Sequence, residues 1–236
     1  EGLSIKGMIG GKLNNDVMHE NRKAIPNTGD QEYRLTEDFG RTQNIIGNVL
    51  LTYDKKIENH SLGALAGYSY EGFNNKRFQT YRIDQKEYDI LVGEQRDNVG
   101  NVGWASDWTL HSIFYRFTYN YKDRYMFEFN GRHDWSSRFS PENRHGFFPS
   151  VSAGWNVAEE EFFANFKQTI PFMKIRTSFG LSGNNNVMSG GNIDNYQYLA
   201  GISILNGYNF GSTMVPVANY SVYNPDIKWE TTSAFN

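Results

Sequence analysis

"RYMFEFNGRHDWSSRF", residues Arg124 to Phe139, separates into two sets when every second residue is taken. From Tyr125 the odd positions read Tyr, Phe, Phe, Gly, His133 and Trp135, while the even ones read Met126, Glu128, Asn130, Arg132, Asp134 and Ser136. A β-strand points successive side chains to opposite faces, so this period of two sets an apolar surroundings against a wet one. Two arrangements satisfy it. In a soluble sandwich the apolar face is the protein core; in a membrane barrel it is lipid, and the polar face lines a water-filled lumen.

The same alternation recurs along the chain. "GLSIKGMIGGKLN" sets Leu3, Ile5, Ile9 and Leu13 against Ser4, Lys6 and Lys12. "LHSIFYRFTYNY" sets Ile113, Tyr115, Phe117 and Tyr119 against Ser112, Arg116, Thr118 and Asn120. "FFPSVSAGWNV" sets Val151, Ala153 and Trp155 against Ser150, Ser152 and Asn156, and "FMKIRTSFGLS" sets Ile175 and Phe179 against Lys174, Arg176 and Ser178. "NIIGNVLLTYD" and "HSLGALAGYSY" show it less cleanly, and "KWETTSAFN" closes the series, which predicts about eight antiparallel strands in an all-β fold.

Connections alternate too. Long loops are expected at about 14–43, 74–107 and 183–227, with short joins at "DKKIENH" and "YKDR", a middling one at "SRFSPENRHG", and a short helix in "AEEEFFANFKQTIP" before Pro171. Outer-membrane barrels have this asymmetry of short periplasmic turns and long outer loops, whereas several long loops in one compact soluble domain are unusual. Glycines inside strands, such as Gly63, Gly67 and Gly131, point the same way, because they weaken an ordinary sheet.

Composition narrows the function. The 236 residues carry a net charge of -3, no cysteine and 16% aromatic residues, with a mean hydropathy of -0.63. No basic cluster suits nucleic acid. No apolar run approaches the ~20 residues of a membrane helix. The opening "EGLSIKG" has no basic start followed by an apolar stretch, so an exported protein would be present here as a mature piece. Five histidines are scattered without metal-ligand spacing, and neither a cofactor motif nor a catalytic triad order stands out. "AEEEFF" reads as a charged helix start rather than an acid/base pair. The chain is not expected to be an enzyme.

"YKDRY" at Tyr121, "DWSSRF" at Asp134, "NRHGFFPSVSAGW" at Asn143, "KIRTSFGLSGN" at Lys174 and "YNPDIKWETT" at Tyr223 together resemble the SusC-like branch of TonB-dependent outer-membrane transporters of Bacteroidetes. Trp135 stands where glycine is commoner, and His145 where a tryptophan is. The resemblance implies a transmembrane antiparallel β-barrel of 22 strands, of which residues 1–236 are a middle stretch without the N-terminal plug and TonB box. It implies localisation in the bacterial outer membrane, a SusD-like lipoprotein lid, coupling to the TonB complex through the plug, and import of an oligosaccharide or a peptide, glycans before peptides.

Candidate lumen-lining or substrate residues are Arg116, Arg132, Asp134, Arg138, Asn184, Asn185, Trp104 and Tyr208. For Arg132, Asp134 and Arg138 the plainer expectation is a salt-bridged ladder between neighbouring strands that fixes the wall. "SGNNN" at Ser182 offers amides to a substrate or simply turns the chain. Expected to face membrane lipid are Tyr115, Phe117, Tyr125, Phe127, Phe129, Val151, Ile175 and Phe179. Two rivals stand beside this reading. A complete eight-stranded outer-membrane barrel pairs "GLSIKG" with "KWETTSAFN"; a soluble extracellular carbohydrate-binding β-sandwich buries Tyr125, Phe127 and Phe129 in a protein core.

Overall fold

A computed structural model describes residues 2–23, 33–83, 91, 99–186, 188–189, 192–193, 195–210, 213–220 and 223–236, with backbone alone for 99, 188–189, 192–193, 202–210 and 213–220. In chain order the strands are β1 (Gly2–Arg22), β2 (Arg34–Ile57), β3 (His60–Ile83), β4 (Val99–Tyr121), β5 (Tyr125–Ser136), β6 (His145–Asn156), β7 (Lys174–Asn184), β8 (Met188–Ser189), β9 (Asn192–Ile193), β10 (Ile202–Phe210), β11 (Thr213–Tyr220) and β12 (Glu230–Phe235). Eight of them form one sheet in the order β1-β2-β3-β4-β5-β6-β7-β12, and β8-β9 and β10-β11 are separate pairs. β1 and β12 thus stand at opposite ends of the order rather than side by side, and every residue of both is exposed. The self-closed eight-stranded barrel is not what forms.

By its contacts the chain divides into two units. The first comprises Glu1–Met8, Gly47–Tyr70 and Thr109–Asn236; the second comprises Ile9–Ile46 and Glu71–Trp108. In the second, Asp38 is buried and accepts hydrogen bonds from Arg77 Nε at 2.7 Å and Gln79 Nε2 at 3.2 Å. Phe73 stacks on Trp108 at 5.8 Å, and the Arg34 guanidinium lies 4.0 Å from the centre of the Tyr81 ring.

In the first unit the registers place the alternation in rows across strands. One face carries Phe117↔Phe129, Phe129↔Val151, Val151↔Phe179 and Phe179↔Phe235. An aromatic row bounds it at each end: Tyr121, Tyr125 and Trp155 at one, His111, Trp135 and His145 at the other. The rows are ten steps apart along β5, from Tyr125 to Trp135. At roughly 3.3 Å per residue and the usual barrel tilt of about 35–45°, that separation stands about 25 Å high, the height of the apolar band of an outer-membrane barrel with its two aromatic girdles.

Among the described residues no second layer covers this face. Phe127 is 42% exposed and Ile175 51%. Tyr125, Phe117, Val151 and Phe179 are also exposed, with Tyr115 and Phe129 half-buried against each other, their rings 6.0 Å apart. Among the described residues only Val157, Ala158 and Phe163 form a buried apolar cluster. The sandwich core is therefore absent from beneath Tyr125 and Phe127. Leaving a large apolar side chain in water rather than burying it forgoes roughly 1.5–3 kcal/mol, so a face with this many of them needs a non-aqueous solvent.

Local chemistry sets the turns. Lys122 and Asp123 have φ of 53° and 56°, and Arg124 N–H donates to the Tyr121 carbonyl at 3.0 Å. Two consecutive positive φ values are the signature of a type I′ turn, whose twist matches that of the flanking strands. Gly131 is required where it stands opposite Tyr115, because a Cβ there would overlap the tyrosine ring.

Several expectations need correction. The segments 14–43, 74–107 and 183–227 are in part strand: β1 runs on to Arg22, β2 begins at Arg34, β3 reaches Ile83, β4 begins at Val99, and β10 pairs with β11. Backbone pairing continues there without a contrast between faces, so alternation could not report it. The helix before Pro171 is instead two short 3₁₀ turns, Val157–Glu159 and Glu161–Phe166, interrupted by Glu160 in extended conformation.

If lipid covers the apolar face, the cost of a charge there depends on depth. Val151→Arg, in the middle row, should destabilise the intact protein in liposomes by about 2–4 kcal/mol, against about 0–1 kcal/mol for Trp155→Arg at the girdle. Ser152→Arg, on the opposite face, should cost little. Denaturant titrations of the three variants check the order.

Candidate functional site

The opposite face of the same strands is polar, and its rows hold the charges. Arg116↔Asn130 and Asn130↔Ser150 form one row. Arg116 Nε donates to Asn130 Oδ1 at 2.8 Å, and Asn130 Nδ2 passes the chain on to Glu128 at 2.8 Å and to Ser150 at 3.2 Å. Arg116 lies 3.8 Å from the Glu128 carboxylate. Two rows further, Arg132 Nε donates to both Asp134 oxygens, at 2.8 and 2.9 Å, while its Nη2 donates to Ser112 Oγ on β4 at 2.9 Å. Asp134 is only 5% exposed. A carboxylate so far from water needs this forked partner, since charge-assisted bonds to a guanidinium are what offset its desolvation.

The ladder between strands is thus corrected in detail. Arg132 and Asp134 pair along one strand, and the link across strands is Arg132 to Ser112. Arg138 does not continue the alternation at all, because β5 ends at Ser136. It is buried, at 4% exposure, and its Nη1 donates to Asn186 Oδ1 at 2.6 Å and to the Asn185 carbonyl at 3.3 Å. Asn185 Nδ2 donates to Ser136 at 3.3 Å, and Asn184 Nδ2 to Glu230 at 3.0 Å. The expected free amides of "SGNNN" are therefore occupied in tying the end of β7 to β5 and β12. Trp104 lies inside β4 and is exposed, in the other unit. Tyr208 belongs to β10, but its side chain lies outside the described residues.

Toward the short-turn end the polar face holds a concavity of about 830 Å³ lined among others by Asp54, Lys55, Glu128, Lys174 and Arg176. Cations and carboxylates mix there, which suits a hydrated wall better than a site for one charged ligand. Among the described residues no group of three or more His, Cys, Asp or Glu gathers as a metal site.

Two clusters escaped the sequence reading. Trp229 packs on Phe139 at 5.4 Å and on Phe148 at 5.2 Å, and its indole donates to the Arg144 carbonyl at 2.9 Å. The even parity of Phe148 in β6 was the available hint that an aromatic sits on the polar face. At the other end, Glu160 receives hydrogen bonds from Tyr125 Oη at 2.6 Å and Trp155 Nε1 at 3.0 Å, and lies 3.3 Å from Arg124. Those bonds hold Glu160 extended and so divide the two 3₁₀ turns. The Tyr125 bond first, then the Trp155 bond and the Arg124 charge, hold the Glu160 carboxyl below the usual carboxylate range against the opposing push of partial burial.

Comparison with known proteins follows this geometry. A family model described as "TonB dependent receptor-like, beta-barrel" matches residues 9–236. The chain is 31% identical over 201 residues to TonB-dependent receptor P3 of Formosa agariphila, covering 84% of this chain and 19% of that protein. It is 30% identical over 201 residues to TonB-dependent receptor SusC of Bacteroides thetaiotaomicron, covering 82% and 19% respectively. The solved RagAB peptide transporter matches over 100% of this chain and 26% of its own, with a TM-score of 0.82 at 23% identity, a likeness of fold. The chain spans 19% of the length of the curated relatives it matches.

Because the native carboxyl of Glu160 titrates below its unfolded counterpart, its contribution is present above the ordinary carboxylate range and is lost as pH falls through the lowered native value. Glu160→Gln should therefore lower the denaturant midpoint near neutral pH. The gap to wild type should close under strong acid, a trend read by titrations at the two pH values.

Proposed function

Since this chain belongs to the β-barrel family of TonB-dependent receptors, we propose that it forms part of the wall of a SusC-type importer of oligomeric nutrients, glycans first and peptides second. Family members of this kind are outer-membrane transporters and not enzymes, and the chain's place is accordingly the bacterial outer membrane. Transport energy reaches the importer from the TonB complex through a plug, and a SusD-like lipoprotein closes it from outside. The SusC match supports the SusC-type reading, within which the family resemblance puts glycans first. The fold likeness to a peptide transporter keeps peptides in second place.

One observation carries the proposal: the registers that put Phe117, Phe129, Val151 and Phe179 in one row put Arg116, Asn130 and Ser150 in the next, on the other face. Lipid on one side and an aqueous passage on the other is what such a sheet can separate. This wall breaks no bond. Arg116 and Arg132 contribute a hydrated, charged inner surface, with Asp134 buried behind Arg132 and holding it in place, and Tyr115, Phe117, Tyr125, Phe127, Phe129, Val151, Ile175 and Phe179 an outer one against lipid. Arg138, Asn184 and Asn185 act by holding strand ends together, while Trp104 and Tyr208 are assigned to contacts with cargo or lid.

The test is uptake. Replacing Asp134 with Asn keeps the shape but leaves Arg132 without its charge partner, and should reduce accumulation of an oligosaccharide by whole cells several-fold while the protein still assembles in the outer membrane. Deletion of the gene for the neighbouring lipoprotein should abolish uptake. Unchanged growth on every oligosaccharide and peptide tried, in a strain lacking the receptor, would sink the importer reading.

A further inference from the structure

On the apolar face, the aromatic row farthest from the short turns is unlike the row at the other end. In the near row, Tyr121, Tyr125 and Trp155, the polar tips of Tyr125 and Trp155 are engaged by Glu160. The far row is His111, Trp135 and His145, and beside it opens a cavity of about 490 Å³ also lined by Ser137, Pro141 and Arg144. Among the described residues no carboxylate lines that cavity. Asp134, the neighbour of Trp135 in sequence, points to the other face and is taken by Arg132.

What lines the cavity is a surplus of donors. Arg144 uses Nε on the Phe139 carbonyl at 3.2 Å, and among the described residues its two terminal nitrogens have no protein acceptor. Trp135 makes ring contacts with His133 at 6.2 Å and His145 at 5.6 Å, but its indole N–H donates to no described residue. His145 is exposed and meets only the Trp135 ring. His111 has one ring nitrogen bonded to Tyr68 Oη at 2.7 Å and the other to spare. A permanent cation, an indole N–H and two imidazoles around one cavity, with no anion among them, match an anion that brings several acceptor oxygens.

We propose that this cavity binds the phosphate of a membrane-lipid headgroup. The assignment to a lipid rests on the outer-membrane reading above: the donors edge the lipid-facing surface at the end of the apolar band, where headgroups lie. Acyl chains attached to that phosphate would run down over the exposed side chains of Phe147, Val151 and Phe117. The aromatic rings add a flat apolar wall beneath the charged head, as interfacial tryptophans do. A free inorganic phosphate would meet the same donors but would gain nothing from that surface.

Native mass spectrometry of the intact receptor in detergent, titrated with phosphatidic acid or with phosphatidylcholine, tests this. Phosphatidic acid should be retained selectively, and Arg144→Gln should weaken its retention roughly ten-fold, the size of one charge-assisted hydrogen bond. Because Arg144 also supports its own turn, Trp135→Phe provides a milder check that keeps an aromatic ring but removes the indole N–H with part of the ring area, and it should weaken retention by a smaller factor. Equal retention of both lipids, unchanged binding by both variants, or complete competition by inorganic phosphate at equal concentration would overturn the proposal. Protease protection of the same protein in phosphatidylcholine vesicles separates the two ideas: a receptor that fails to insert removes the membrane reading itself, whereas one that inserts without selecting phosphatidic acid removes only this site.

Discussion

The structure depends on a sheet whose apolar face has no protein to rest on. In a soluble fold, Phe117, Phe129, Val151 and Phe179 would be the core, packed under a second layer. Here they lie in one hydrogen-bonded row, and the buried apolar side chains among the described residues are Leu35, Phe139, Val157, Ala158 and Phe163. Lipid must then supply the other half of the core. That condition also calls for backbone pairing between neighbouring strands, since an unpaired N–H or C=O in hydrocarbon has no water to turn to.

The polar face answers the opposite problem. Charges on a wet wall need no burial, but they must not repel one another or collapse across the passage. Arg116 reaches Asn130 rather than a carboxylate at closest approach, and Asn130 in turn reaches Glu128 and Ser150. Amides and hydroxyls thus space the ions. Where a carboxylate is truly buried, at Asp134, two guanidinium bonds close on it and Ser112 steadies the arginine. The ends of the strands are held by different means: Glu160 joins Tyr125 and Trp155 at one end, and Arg138 gathers Asn185 and Asn186 at the other. A sheet held at both ends in this way presents its polar side chains in fixed positions.

How much of this could be read in advance varied with the physical signal. Alternation along β5, β6 and β7 located those strands to within a few residues and gave the correct partition of Tyr125 and Phe127 from Glu128 and Arg132. It failed at β1 beyond Asn14 and at the start of β4, because alternation records a difference of solvent between two faces and not the pairing of backbones. Where both faces are wet, as around Glu20, Asn101 and Ser106, the strand continues unseen. Arg138 was misjudged for a related reason. Its parity suited the polar face, but the strand carrying that parity had already ended.

From the amino acids alone came the kind of fold, the sorting of apolar and polar side chains onto opposite faces, the positions of the tight turns and the family likeness, all of them consequences of order along the chain and nearest-neighbour geometry. Only the tertiary structure decided which groups meet: Arg132 with Asp134 and Ser112, Glu160 with two aromatic donors, the Asn184–Asn186 run with Glu230 and Arg138, and an acceptor-poor cavity beside Trp135. Such meetings depend on inter-strand register and on where each strand stops. A shift of one residue in register would move every side chain to the other face, an earlier or later strand end would remove or add contacts there, and no local pattern records either choice.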